Sequence, residues 1–223
     1  LPYSCASGVC STCRSKIIEG EVDFGDIHPS YLNDDERAQG FVHMCLAKPL
    51  SDMIIEAREL SGLAGVKIRK VPCRIAKLEH PAPDVTVLHL RLPLNENMRF
   101  VSGQHIEFIL PGDVRRRFSI ANKMNPEGVT ALELHIRHVP DGLFTGKILP
   151  ELKERALMRF EGPLGSFALQ TDTDKPIVLV ASGTGFSPIK SICESAFDKG
   201  INKTRPMTLY WGGRTRQDLY MLE

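Results

Sequence analysis

The 223-residue sequence contains no long apolar run and no excess of either charge. Its longest apolar stretch lies between Pro176 and Ser182, whereas a membrane-spanning helix needs about 18 consecutive apolar residues. Lys and Arg number 28 against 27 Asp and Glu, a formal net charge of +1. A nucleic-acid-binding protein needs a concentrated basic face. We therefore expect neither a membrane span nor a nucleic-acid partner.

Cysteine is also sparse, with six residues in the whole chain. A disulfide-stabilised secreted domain would have a much higher density. The composition favours a reducing compartment, and we expect the cytoplasm. Cys73 and Cys193 stand apart from the other four, and each is interpreted as an ordinary buried thiol.

The sequence lacks an initiator methionine and begins at Leu1. A cysteine motif starts by Cys5, and the chain ends shortly after the glycine pair Gly212-Gly213. We expect the chain to be truncated inside a domain at both ends.

Three regions of different pattern follow one another along the chain. Residues 1–61 hold the grouped cysteines, and a small, flexible stretch, Leu60–Val66, predicts a linker. Residues 67–169 contain six short β-rich segments separated by Pro and Gly, which indicates a small barrel or sandwich; one short helix is expected within Leu143–Arg155. Residues 174–223 read as strand, glycine turn, helix and strand, a βαβ unit of a parallel α/β sheet.

Four cysteines have the spacing of metal ligands. Cys5, Cys10 and Cys13 form a C-x4-C-x2-C pattern, and Cys45 follows after 31 intervening residues. This is the spacing of a plant-type 2Fe–2S centre, and small loop residues allow the backbone N–H groups to approach the sulfurs. The alternatives are a zinc site, which the spacing fits poorly, and structural or disulfide cysteines.

The segments Leu1–Cys13 and His43–Asp52 resemble the cluster loop and the fourth-ligand segment of bacterial ferredoxin-type reductases. The resemblance implies that the first region is an α+β domain of the β-grasp fold. It also implies that the first hairpin of that fold lies upstream of Leu1.

The middle region carries a flavin motif, Arg116-Arg117-Phe118-Ser119. Arg116 could bind a pyrophosphate as a planar fork, or could simply be a solvated charge. Phe118 could lie against the isoalloxazine, and Ser119 could hydrogen-bond the reactive edge of the flavin.

The motif resembles that of the ferredoxin–NADP reductase superfamily, whose antiparallel six-stranded Greek-key barrel binds FAD. The stretch from His135 to Thr145 resembles the next strand and turn of that family. There, Gly142 and Thr145 would cradle the flavin diphosphate. His135 and Arg137 share one strand face and either contact the flavin or face solvent.

The last region carries a candidate nicotinamide site. Gly183, Thr184, Gly185 and Pro188 follow a buried strand and open a helix, where glycines and the helix N-terminus suit a diphosphate. The G-T-G-x-x-P form resembles that of the superfamily. By the same resemblance, Gly212 and Arg214 would lie near the ribose or adenine, with Arg214 close to a phosphate, although Arg214 could equally be a surface charge. The segment Gly212–Tyr220 resembles NADH-using relatives, so NADH is favoured over NADPH.

Together the resemblances imply a monomeric iron–sulfur flavoprotein reductase, with electrons passing from NADH through FAD to the cluster. Its acceptor would be a redox partner protein, either a dehydrase or an oxygenase component, and no catalytic acid, base or nucleophile is expected. The alternative from another class is a non-enzymatic metal-binding electron carrier, which would bind no flavin.

Overall fold

A computed structural model describes residues 1–3, 5–56 and 66–222. The chain divides into two compact units, Leu1–Ala64 with Gly165–Phe167, and Gly65–Leu164 with Ala168–Glu223. The predicted linker Leu60–Val66 falls largely on residues 57–65, which lie outside the described residues. The three predicted domain boundaries stay a prediction. No helix in the described part of the chain is long and apolar enough to cross a membrane.

The first unit is built from short antiparallel strands and one short helix. The elements are β1 (Arg14–Glu19), β2 (Val22–Asp23), α1 (Asp34–Ala38), β3 (Phe41–His43), β4 (Lys48–Pro49) and β5 (Ile54–Glu56). The sheet order is β3-β1-β5, and β2 pairs with β4. Asn33 caps α1 in a reciprocal capping box with Glu36, which fixes where the helix begins.

The second unit begins with a closed antiparallel barrel. Its strands are β6 (Arg69–Ala82), β7 (Val85–Arg91), β8 (His105–Leu110), β9 (Val114–Ser119), β10 (Ala131–Arg137) and β11 (Leu157–Leu164). The order β10-β7-β6-β11-β8-β9 is closed by a bridge between Ile120 and Leu134. The predicted six-stranded barrel is confirmed.

Four fully buried phenylalanines dominate the barrel core: Phe100, Phe108, Phe144 and Phe160. Each such side chain contributes about 1.5–3 kcal/mol of burial free energy. The single helix expected within Leu143–Arg155 is instead a π-helical turn, Leu143–Ile148, followed by a 3₁₀ turn, Leu149–Glu151. Pro150 explains the break, because proline lacks the N–H donor that would continue the hydrogen-bond ladder of the preceding turn.

The predicted βαβ unit follows the barrel. It consists of β12 (Ile177–Ser182), α2 (Phe186–Asp198), the short α3 (Ile201–Thr204) and β13 (Met207–Gly212). β12 and β13 pair in parallel from Ile177 with Met207 to Ser182 with Gly212. Gly200 follows α2 in the left-handed region at φ 68° and ends its course.

Candidate functional site

The four candidate cluster cysteines lie in two pairs. The backbone N–H of Cys10 donates to Cys5 Sγ at 3.4 Å, and that of Cys5 donates to Cys10 Sγ at 3.5 Å. Cys45 lies close enough to Cys13 to influence the pKa of its thiol. Across the described residues, no three His, Cys, Asp or Glu side chains converge as they would around one metal ion. A 2Fe–2S centre needs only two cysteines for each iron, so two cysteine pairs fit it better than they fit zinc.

The loop favours a thiolate at Cys5 and opposes one at Cys13. Burial opposes ionisation of Cys5, but hydrogen bonds from Ser7 and Cys10 outweigh it and lower the pKa of Cys5 to about 6. Burial raises the pKa of Cys13 to about 11, so a thiolate there needs a compensating cation such as iron. Ala6 and Ser11 both adopt positive φ, as does Gly8 at 78°. This tight wrapping points backbone N–H groups at sulfur, as the small residues predict.

The buried side chain of His43 hydrogen-bonds to the cysteine loop. Its side chain is completely buried, and Nδ1 donates to the Gly8 carbonyl at 2.8 Å. The carbonyl can only accept, so the proton lies on Nδ1. Nε2 is buried and has no partner among the described residues. No local sequence pattern indicates this bond, because 35 residues separate its ends.

Among the three adjacent arginines of β9, the structure distinguishes Arg116. Arg115 is paired with Glu161, and Arg117 is paired with Glu107. Arg116 is exposed and pairs with no carboxylate in the part of the chain that the structure describes; its Nη1 donates to the Arg115 carbonyl at 2.8 Å. A guanidinium without a carboxylate partner is what pyrophosphate binding requires.

The two other residues of the flavin motif occupy suitable positions. The half-buried ring of Phe118 packs against Phe108 and Phe144, with centroids 5.8 and 5.0 Å away. The Ser119 hydroxyl makes no hydrogen bond within the described residues, while its carbonyl accepts one from Ser187. The motif therefore offers an aromatic face and an available hydroxyl side by side.

Gly142 and Thr145 form a tight turn before the π-helical segment. The Thr145 hydroxyl accepts from the Val139 N–H and donates to the Val139 carbonyl, both at 3.0 Å. A Cβ at Gly142 would lie 2.6 Å from that hydroxyl, so only glycine fits. Thr145 thus shapes the turn, and backbone N–H groups are what the turn offers to a diphosphate.

The nucleotide turn leaves the start of α2 open to an anion. Gly185 occupies the N-cap position without a side-chain cap, and a Cβ there would meet nothing within 4 Å. Gly183 adopts φ 50°, and its carbonyl accepts from Trp211 Nε1 at 3.0 Å. Pro188 lies in the first helical turn, as expected. Uncapped N–H groups at a helix N-terminus fit a diphosphate.

The loop after β13 holds a buried carboxylate. Asp218 accepts hydrogen bonds from Arg137, from the Arg214 N–H and from the Thr215 N–H. Asp218 therefore faces the protein, whereas the Arg214 side chain is 81% exposed.

His135 is likewise engaged within the protein. Its Nε2 donates to Glu133 and its Nδ1 accepts from the Tyr220 hydroxyl, both at 2.7 Å, and its side chain is fully buried. Both ring nitrogens are thus occupied by protein groups. Neither faces solvent, and neither is available to donate to a flavin.

The flavin motif and the nucleotide turn lie next to each other. Ser187 Oγ, in the first turn of α2, donates to the Ser119 carbonyl at 3.0 Å. Further along α2, Ser191 Oγ donates to the Asn122 carbonyl at 2.8 Å, and Ser195 Oγ lies 2.6 Å from Ser102 Oγ. The three buried serines recur every four residues, so they form one helix face. The four-residue spacing of these serines is the sequence signal that indicates a polar helix face.

Comparison with known proteins agrees with this geometry. Residues 1–50 match the 2Fe-2S iron-sulfur cluster binding domain, residues 72–169 the oxidoreductase FAD-binding domain, and residues 179–223 the oxidoreductase NAD-binding domain. Taken together, the three domain matches are those of a ferredoxin–NAD(P) reductase, and relatives with reductase names resemble the chain.

Several members of the family are similar over nearly the whole chain. CDP-6-deoxy-L-threo-D-glycero-4-hexulose-3-dehydrase reductase of Yersinia pseudotuberculosis is 36% identical over 220 residues, 99% of this chain and 64% of that protein. The phenol 2-monooxygenase reductase component of a Pseudomonas species is 35% identical, covering 100% of this chain and 62% of that protein.

Among solved structures, Amycolatopsis cytochrome P450 reductase superposes with a TM-score of 0.76 at 33% identity, covering 100% of this chain and 66% of that one. The chain thus spans slightly less than two thirds of the length of these relatives.

Proposed function

We propose that the protein is an iron–sulfur flavoprotein reductase, which takes electrons from a nicotinamide nucleotide and delivers them to a partner protein. The observation that carries the proposal is the 3.0 Å bond from Ser187 Oγ to the Ser119 carbonyl. It sets the nucleotide turn beside the flavin motif, and hydride transfer requires the two rings to approach each other. Candidate cluster ligands in the same chain supply a one-electron outlet.

Each candidate residue has one task in this proposal. Arg116 holds the flavin pyrophosphate, Phe118 covers the ring, and Ser119 donates to its reactive edge. The N-terminus of α2 holds the nucleotide diphosphate, and Gly185 leaves it room. Cys5 and Cys10 would bind one iron, and Cys13 and Cys45 the other. When bound, FAD would accept a hydride and release single electrons to the cluster.

We propose NADH as the coenzyme. The support is the resemblance of the Gly212–Tyr220 segment to NADH-using relatives. Steady-state kcat/KM for NADH should exceed that for NADPH, and a reversed ratio would contradict this choice.

The electron acceptor is proposed from the named relatives. A dehydrase acting on a CDP-deoxyhexulose, as in CDP-6-deoxy-Δ3,4-glucoseen reductase systems, follows from the Yersinia relative. An oxygenase component is the second candidate, because a phenol 2-monooxygenase reductase is similar to a comparable degree. We further propose that the protein is a monomer. We also propose a cytoplasmic location, which the low cysteine content favours. A non-enzymatic carrier would need neither the barrel nor the nucleotide turn.

The test is an absorbance spectrum of the full-length protein, followed by NADH without oxygen. Flavin and 2Fe–2S bands that both bleach on NADH addition are the expected result. A colourless protein that contains zinc, or flavin bands that NADH leaves unchanged, would overturn the proposal.

A further inference from the structure

One face of strand β10 carries three charged or polar side chains: Glu133, His135 and Arg137. We call these three residues the β10 seam. Alternate residues of a strand point to the same side, and here each of them contacts the nucleotide-binding part. Lys190 Nζ lies 3.2 Å from Glu133 Oε1, the Tyr220 hydroxyl donates to His135, and Asp218 accepts from Arg137.

Arg137 is the member of the seam that contacts the most segments. Its Nη2 lies 2.6 Å from Asp218 Oδ1 and 2.7 Å from Asp84 Oδ2. Asp84 belongs to the barrel, in the turn between β6 and β7. A Cβ at Gly183 would lie 2.7 Å from Arg137 Nη1. Arg137 therefore touches the barrel, the G-T-G turn and the loop after β13 with one rigid guanidinium.

Asp218 extends the reach of Arg137 into the second nucleotide loop. Its Oδ2 accepts from the N–H groups of Arg214 and Thr215, at 2.8 and 2.9 Å. A Cβ at Gly213 would lie 2.6 Å from the Asp218 Cβ, so glycine is required where the loop folds over this carboxylate. The shape of the loop from Gly212 to Asp218 thus depends on the carboxylate that Arg137 binds.

The charges make this contact costly to break. The Asp218 side chain is 7% exposed. Removing the cation from a buried carboxylate destabilises a protein far more than breaking a surface ion pair does. Both carboxylates contact Nη2, whereas Nη1 lies at Gly183. Lysine is a poor substitute, because its single ammonium can reach the carboxylates but cannot place a second nitrogen at the glycine turn.

We propose that Arg137 is a positioning residue for hydride transfer. It holds the G-T-G turn and the loop after β13 in a fixed position relative to the flavin barrel. The inference rests on the proposed function and adds a residue that contacts neither the reacting atoms nor a cluster ligand. Arg137 thus links the flavin barrel to the nucleotide-binding part. Its strand position had suggested a flavin contact or solvent exposure instead.

The test compares Arg137→Met, Arg137→Lys and Asp218→Asn with wild type as FAD-loaded full-length protein. The matched control is Arg91→Met, an exposed arginine of the neighbouring strand β7. Stopped-flow flavin reduction at saturating NADH should slow by about 10- to 100-fold in Arg137→Met, because small misplacements of reacting groups cost about that much. FAD content should be unchanged, and Arg137→Lys should restore only part of the rate.

Amide hydrogen exchange of residues 212–222 gives a second readout. Exchange should accelerate in Arg137→Met and Asp218→Asn but not in Arg91→Met. If Arg137→Met loses FAD through misfolding, Asp218→Asn decides, because it retains both the side-chain volume and the Arg137–Asp84 pair. A wild-type protein that NADH does not reduce would overturn the proposed function. A reducible wild type with unchanged limiting rates in Arg137→Met and Asp218→Asn would overturn the positioning role alone.

Discussion

Adjacent residues of identical type can have different roles, as the three arginines of β9 illustrate. Arg115 and Arg117 form ion pairs with carboxylates of β11 and β8, which fixes them to the barrel. Arg116 lies between them and has no such partner within the described residues. The free guanidinium is the one that the flavin motif assigns to the pyrophosphate, and this makes a substitution there informative.

Arg116→Gln should lower FAD affinity by about 10- to 100-fold, the loss expected when a hydrogen bond to a charged group is removed. Fluorescence titration of the apoprotein with FAD measures the effect. Arg74→Gln, an exposed arginine of β6, is the control and should bind FAD as wild type does. Equal affinities for both variants would show that Arg116 does not hold the flavin.

His43 should control how long the cluster is retained. His43→Leu leaves the Gly8 carbonyl without its donor, at a cost of about 1–3 kcal/mol, and cluster absorbance should decay faster in a chelator. His43→Asn keeps an N–H near the position of Nδ1 and should retain the cluster longer than His43→Leu. The hydrogen-bond account fails if His43→Leu and His43→Asn lose the cluster at the same rate.

At this scale the sequence could predict residues within contiguous motifs but not their distant partners. Local patterns predict the cluster ligands and the flavin motif, because each is encoded by residue spacing or by a short motif. The residues concerned are Cys5, Cys10, Cys13 and Cys45 and the β9 motif. The bonds from Arg137 to Asp218 and from His135 to Tyr220 join residues 81 and 85 positions apart. No local pattern encodes such a contact, so His135 and Arg137 were assigned to the flavin or to solvent.

Helix α2 has a polar face on the barrel and an apolar face on the nucleotide sheet. Ile189 and Ile192 pack in one cluster with β12 residues, while Ser187, Ser191 and Ser195 hydrogen-bond the barrel. Small hydroxyl side chains allow close approach and satisfy carbonyls that have lost contact with water.

Ser191→Ala should reduce the free energy of unfolding by about 1–2 kcal/mol, because the partly buried Asn122 carbonyl would lose its Ser191 donor. Urea denaturation followed by far-UV circular dichroism measures this change. Unaltered stability would show that the serine face is packing alone.

Strand β10 provides a prediction about pH. Burial opposes ionisation of Glu133, but the His135 hydrogen bond and the Lys190 charge outweigh it and lower the pKa of Glu133 from an ordinary 4.5 to about 2. A depressed carboxyl pKa stabilises the fold above the unfolded-state value, and this contribution is lost as pH falls toward the folded-state value.

The stability difference between wild type and Glu133→Gln should therefore be largest above pH 4.5, at about 1–2 kcal/mol after solvent screening, and should shrink as the pH approaches 2. Thermal unfolding of both proteins across this range is the measurement. A difference that does not vary with pH would contradict the assigned ionisation.

Element types were predictable from periodicity, and element details were not. The six barrel strands and the βαβ unit follow from apolar alternation and glycine punctuation. The apolar pattern of Leu143–Arg155 predicts one helix, whereas Pro150 divides the segment into two turns within Leu143–Glu151. Barrel closure between Ile120 and Leu134 depends on strand register across the whole domain, which a local pattern does not specify.

At the scale of the molecule, the proposal predicts separable modules. Cys10→Ser should abolish the 2Fe–2S signal in electron paramagnetic resonance, because one iron loses a thiolate ligand. Flavin reduction by NADH should persist, since Arg116, Ser119 and the α2 turn belong to the other compact unit. Loss of both signals would contradict separate sites.

The proposed electron path is tested most directly by anaerobic stopped-flow mixing of the full-length protein with NADH, followed at flavin and cluster wavelengths. The account predicts that flavin absorbance falls first and cluster absorbance falls afterwards, and that the second phase is missing in Cys10→Ser. Cluster absorbance that falls before the flavin absorbance, or that falls in a protein depleted of FAD, would contradict the electron path from nicotinamide through flavin to iron.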